Sequence, residues 1–184
     1  MQHIYLLPNI EKTRMKKIIL GILLITGNSI IAQNLTIQEI LNLQKKDLIG
    51  VEEYLSEKDW SLLEIEKATD EKLGSVEFAY KKSSYKNEAE SFFYYFYSDT
   101  RSRISIQVQN KEKYNEYLKS TKTLGYKLVA NKMEDNRIDK VYQNKATTII
   151  ISIKARDYYG TTKSIYSYFV ISNDDYDYNF KEDY

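Results

Sequence analysis

The chain of 184 residues has no cysteine, one histidine (His3), one proline (Pro8) and six glycines, four of them (Gly50, Gly74, Gly125 and Gly160) isolated along its main part. Without cysteine there is no disulfide, no thiolate nucleophile, no zinc knuckle and no lipobox. With histidine only at position 3, the Ser–His–Asp and Cys–His arrangements are excluded from the body of the chain, as is any His- or Cys-based metal site. Isolated glycines make no phosphate-cradling loop. Neither sign of charge predominates: 27 Lys and Arg stand against 26 Asp and Glu. That balance removes the electrostatic footprint expected of a nucleic-acid binder. No apolar run approaches the roughly 20 residues of a permanent membrane span.

What is present begins with a targeting signal. Lys16 and Lys17 form a positive start, Ile18 to Ile25 an apolar stretch, and a weakly polar segment ends at Ala32 before Gln33. This order predicts a signal peptide over residues 15–32, cleaved after Ala32. Met15 reads as the natural start and residues 1–14 as an upstream extension. The form resembles the signal peptides of small exported bacterial proteins of unknown function, and it implies a periplasmic or extracellular product. Cleavage would take four of the 27 basic residues and one of the 26 acids, leaving 23 and 25, a net charge of −2. About 150 residues remain, a common size for one domain with its own core. An exported domain of that size often has disulfides; here core burial must suffice.

The remainder divides into a repeated order of elements. Thr36-Ile-Gln-Glu39 fits a capping box, and Ile37, Ile40, Leu41, Leu48, Val51 and Leu55 recur at helical spacing, with Gly50 as a point of division or kink. After Trp60 the period changes to two. Strands are expected at Trp60 to Glu66, around Val76, Phe78 and Tyr80, at the six aromatics Phe92 to Tyr97, and around Ile104, Ile106 and Val108. Asn110 then caps a second helix that Gly125 ends. Tyr126-Lys-Leu-Val129 answers Trp60-Ser-Leu-Leu63, Asp135 to Val141 answers Asp70 to Val76, Thr147 to Lys154 answers the aromatic strand, and Ser164 to Ser172 answers Arg103 to Asn110. The expected fold class is α+β: two tandem helix-plus-four-strand antiparallel repeats, 34–109 and 110–172, offset by about 65 residues, with helices packed on one sheet face.

This order resembles the tandem repeat of β-lactamase inhibitory proteins. The resemblance implies one curved sheet whose aromatic-rich concave face clamps a protein, an inhibitor- or immunity-like role. The disulfides of that family have no counterpart here. TATA-binding saddles also contain two repeats, but their work needs a basic, intracellular surface.

The chemistry left to such a chain is that of carboxylates, lysine and tyrosine. Glu88 and Glu90 are spaced to share a strand face, so a carboxylate-dependent hydrolase acting on envelope glycans is the alternative reading. Asp175, Asp177 and Asn179 have the alternate spacing of half a calcium loop, but Phe180 stands where a glycine is needed and no closing Glu follows. Residues 173–184 therefore read as a frayed acidic tail, and no metal or cofactor is expected. The positive signal is aromatic: 18 tyrosines and 14% aromatic residues. Tyrosine offers large contact area with a polar tip. The reading is an exported, non-catalytic module that binds a protein or glycan of the cell envelope through an open sheet face formed by Tyr94, Phe96, Tyr142, Tyr166 and Tyr168. No nucleic-acid partner and no permanent membrane span are expected.

Overall fold

The computed structural model describes residues 35–84, 88–158 and 160–184, without the side chain of Tyr158. The expected signal peptide lies outside them. Thr36 caps α1 (Ile37–Leu43) with the reciprocal bonds of a capping box. The chain breaks at 44–47 and restarts as α2 (Leu48–Ser56), because Asp47 caps the new helix by accepting from the Gly50 amide at 2.9 Å. Gly50 therefore lies in the first turn of α2, and the division falls just before it.

Four strands follow, β1 (Trp60–Glu66), β2 (Gly74–Tyr80), β3 (Ser91–Tyr97) and β4 (Ser102–Val108). Then come α3 (Lys111–Thr123) and β5 (Lys127–Glu134), β6 (Arg137–Gln143), β7 (Thr147–Tyr158) and β8 (Thr161–Ser172). Asn110 caps α3 through the Lys113 amide. Gly125, at φ +83°, ends it in a Schellman motif: its own N–H donates to Lys122 O and that of Tyr126 to Thr121 O. All eight strands form one antiparallel sheet in the order β1-β2-β3-β4-β8-β7-β6-β5. The last strands of the two meanders, β4 and β8, pair at the centre, with Ile106 opposite Tyr168. The fold is thus α+β and dominated by its sheet.

One sheet face carries the main core. Val76, Phe78, Phe93, Tyr95, Ile104, Ile106, Ile149, Ile151, Tyr168 and Val170 pack with Ile37, Ile40, Leu43, Val51 and Leu55 of α1 and α2 and Tyr114 and Tyr117 of α3. Three of the phenols buried there satisfy their hydroxyls on main-chain carbonyls. Tyr168 donates to Tyr114 O at 2.8 Å, Tyr95 to Lys46 O at 2.8 Å, and Tyr117 to Leu35 O. These bonds tie helices and the segments beside them to the sheet.

The acidic segment is not a frayed tail. Asn173–Asn179 form a helix, α4, followed by a 3₁₀ turn at Lys181–Asp183. Tyr176 packs with Val141, Ile150 and Ile171, joined by Phe169, Phe180 and Tyr184. Those strand residues alternate with the core-facing ones, so α4 lies on the face opposite α1–α3. The expectation that helices occupy one face is corrected here. Its cause is the apolar side of the segment, Tyr176, Phe180 and Tyr184, which finds exposed apolar strand residues to cover. Asp175, almost fully buried, is held by the Arg103 guanidinium through bonds of 2.7 and 2.8 Å, and Phe180 stacks on the same guanidinium at 4.9 Å. In this helix Asp175 serves an arginine, not a calcium ion.

Asp175→Ala, which leaves Arg103 without its partner in a largely buried place, is expected to lower stability by about 3 kcal/mol in urea unfolding. A second expectation concerns Glu39. Burial alone would raise its pKa, but hydrogen bonds from Lys58 (2.6 Å), Tyr54 (2.5 Å) and Thr36 outweigh it and hold the carboxyl at about 2. The ionised group stabilises the fold fully above its unfolded pKa near 4.5, and this is lost as pH falls from there toward 2. Glu39→Gln, which keeps the cap acceptor, should therefore cost on the order of 2 kcal/mol at pH 7 and only a few tenths of that at pH 2, where the carboxyl is half protonated. Denaturation curves at the two pH values measure it.

Candidate functional site

The aromatic strand β3 alternates cleanly. Phe93 and Tyr95 enter the core, while Phe92, Tyr94 and Phe96 stand half-buried on the opposite face. There they pair across the sheet with Ala79, Glu77 and Ser75 of β2 and with Gln107, Ser105 and Arg103 of β4. The rings of Tyr94 and Phe96 lie nearly parallel, their centres 6.3 Å apart. Burial, then the charge and hydrogen bond of the Glu77 carboxylate, push the Tyr94 phenol up to about 12.

This row stops where the C-terminal helix begins. Arg103, the pairing partner of Phe96, is the residue that grips Asp175. From there α4 and the residues after it cover β6–β8, while among the described residues no helix covers the first half of this face, β1–β4. The open surface is therefore half a sheet. At the other end of the row a cavity of about 440 Å³ opens beside Phe92. It is lined by Gln107 and Gln109 at the end of β4, by Arg156, Lys163, Ser164, Ile165 and Tyr166 of the β7–β8 hairpin, and by Glu88 before β3.

The five residues singled out in the sequence are divided by the sheet. Tyr94 and Phe96 lie together on the uncovered half. Tyr142, Tyr166 and Tyr168 do not join them: they are buried on the α1–α3 face. Strand register is the reason. Tyr168 sits opposite Ile106 and Ile151, and Tyr166 opposite Val108 and Ile153, all on the core side. Tyr166 stacks on Tyr114 at 4.5 Å, and burial pushes the Tyr168 phenol far above its usual range. Tyr142 and Tyr168 serve the core, and Tyr166, whose ring packs there on Tyr114, also contributes to the wall of the cavity. Phe92 shares the strand parity of Tyr94 and Phe96, so its place beside them is legible in the sequence; Gln107 and Arg156 are not, and Arg156 reaches the cavity only through the β7–β8 pairing.

Glu88 and Glu90 are placed differently from one another. Glu90 forms an ion pair with Lys81 at 3.1 Å, and Glu88 faces the cavity. Among the described residues no group of three or more His, Asp or Glu is placed to hold a metal ion. No helix among them is long and apolar enough to cross a membrane. Comparison with known proteins finds no matching family model, no similar curated protein and no similar solved structure.

Glu77→Gln removes the neighbouring carboxylate charge from Tyr94. The Tyr94 pKa should then fall from about 12 toward 10 in a tyrosine ¹³Cζ NMR titration, stopping short of it because burial remains.

Proposed function

We propose that the chain is an exported, non-catalytic module that recognises a protein or glycan of the cell envelope with the uncovered half of its sheet. The observation that carries this reading is the row Phe92, Tyr94 and Phe96, three large rings partly exposed on rigid, doubly paired backbone with a cavity at its end. A flat aromatic surface ordered before the partner arrives loses little entropy on binding. The signal-like order of residues 15–32 supports a periplasmic or extracellular location.

The tandem repeat belongs to the same proposal. Three local features recur 66 positions apart. Asp59 and Gly125 both have positive φ. Trp60 and Tyr126, which follow them, are both buried. Both edge strands carry a bulge, one at Leu63 and one at Val129. With the mirrored strand order these features support duplication of a helix-plus-four-strand unit. The same mirrored order is what links the chain, by analogy of architecture, to an inhibitor- or immunity-like role.

The test compares two substitutions of similar size on opposite faces. Tyr94→Ala with Phe96→Ala should abolish capture of the partner from envelope extract, at least a tenfold loss, with a small change in stability. Tyr168→Ala should cost about 3 to 4 kcal/mol of stability and, below its melting temperature, leave capture intact. Capture that is indifferent to the Tyr94 and Phe96 rings would overturn the proposal.

A further inference from the structure

The cavity beside Phe92 has a chemistry of its own. Its floor is made by central strands: β4 lies between β3 and β8 and is paired on both sides. β4 itself therefore offers no free edge to a peptide, and the side chains that line the cavity carry the recognition. Three kinds of side chain are present. Phe92 presents the face of a ring. Gln107 and Gln109 present amides, with Gln109 Nε2 directed to Ala89 O at 3.4 Å. Arg156 and Lys163 present positive charge.

The two cations are direct partners across β7 and β8. Like charges in that relation destabilise a strand pair. They sit where the hairpin has outrun its neighbours, since β6 pairs with β7 only as far as Lys154 and β4 with β8 only as far as Tyr166. Arg156 has no ion-pair or hydrogen-bonded side-chain partner among the described residues. An anion seated against Arg156 would supply the partner that it lacks among the described residues. Two cations and the single carboxylate of Glu88 leave the lining net positive.

We infer that this cavity takes a carboxylate-bearing saccharide unit, with the C–H face of the sugar on Phe92 and its carboxylate in the fork of Arg156. The inference rests on the reading of the uncovered half-sheet as a recognition surface and specifies what one end of it recognises. A planar guanidinium matches a carboxylate with two parallel bonds, and Lys163 adds a second charge without that geometry. The Gln107 and Gln109 amides and the Glu88 carboxylate match hydroxyl groups, which both donate and accept. At about 440 Å³ the space is within the range of small-ligand sites and admits one or two sugar rings.

Calorimetric titration of the full-length chain with tetragalacturonate, maltotetraose and inorganic phosphate at equal ionic strength tests this. The acidic tetrasaccharide should bind at least tenfold tighter than the neutral one, and phosphate should not displace it. Arg156→Gln, on an exposed hairpin where folding is unaffected, should abolish the preference for the acid. Phe92→Ala should weaken both saccharides. Equal binding of the two, an Arg156→Gln variant that keeps the preference, or displacement by phosphate would overturn the inference. If tetragalacturonate does not bind while the Tyr94 and Phe96 rings remain necessary for capture from envelope extract, the saccharide assignment falls and the recognition surface stands. If capture is also indifferent to those rings, both fall.

Discussion

Tyrosine hydroxyls that donate to main-chain carbonyls hold the helices on the sheet, and the rest of the structure depends on them. A phenol buried without a partner would cost more than its ring gains. Tyr168 bonding to Tyr114 O, Tyr95 to Lys46 O and Tyr117 to Leu35 O remove that cost and at the same time fix where α3, the α1–α2 connection and the entry to α1 rest. With no cysteine in the chain, such bonds and ring packing provide the cross-links between distant segments. Ring contacts reinforce them: Tyr117 meets Tyr168 edge-on at 5.1 Å, and Trp60 meets Phe93 at 6.0 Å. The abundance of tyrosine in the composition is thus largely an interior feature.

The second determinant is the competition for the opposite face. A sheet of eight strands with helices on one side leaves a wide surface on the other. Half of it is claimed by the chain's own C-terminal segment, clamped at the boundary by the Arg103–Asp175 fork and closed at its far end by Tyr184, whose hydroxyl reaches Asp139 at 3.4 Å. The half that remains is the one with Phe92, Tyr94 and Phe96. Arg103 therefore has two relations that together set the limit of the site: it pairs with Phe96 across β3 and β4, and it grips the helix that stops beside it.

How far the fold could be read from the residues differs from element to element. The capping box at Thr36, the Asn110 cap and the Gly125 stop act within a few residues, so their effect appears in local sequence. The alternation of Val76, Phe78 and Tyr80 and of Ile104, Ile106 and Val108 is likewise local. Segment 164–172 is different. Ile165, Tyr166, Tyr168, Phe169, Val170 and Ile171 offer a large side chain to both faces, and no period distinguishes them. Their polar tips suggest the outer face for the tyrosines, whereas pairing with Ile106 and Val108 turns them inward and gives the outer side to Ile165 and Phe169. Residues 173–184 differ from expectation for a similar reason: their acids are conspicuous, but the ring side chains among them count only when an apolar surface stands opposite.

The sequence by itself determined the elements from α1 to β8, their order, the antiparallel α+β class and the chemistries that missing cysteine and histidine exclude, because these follow from spacing, caps and residue types within a short stretch of chain. Tertiary structure alone decided which tyrosines are buried, that the acidic segment becomes a helix on the second face, and that Phe92 shares a cavity with Arg156. Those outcomes rest on register between strands about 60 residues apart, and a shift of one residue in that register would exchange the two faces.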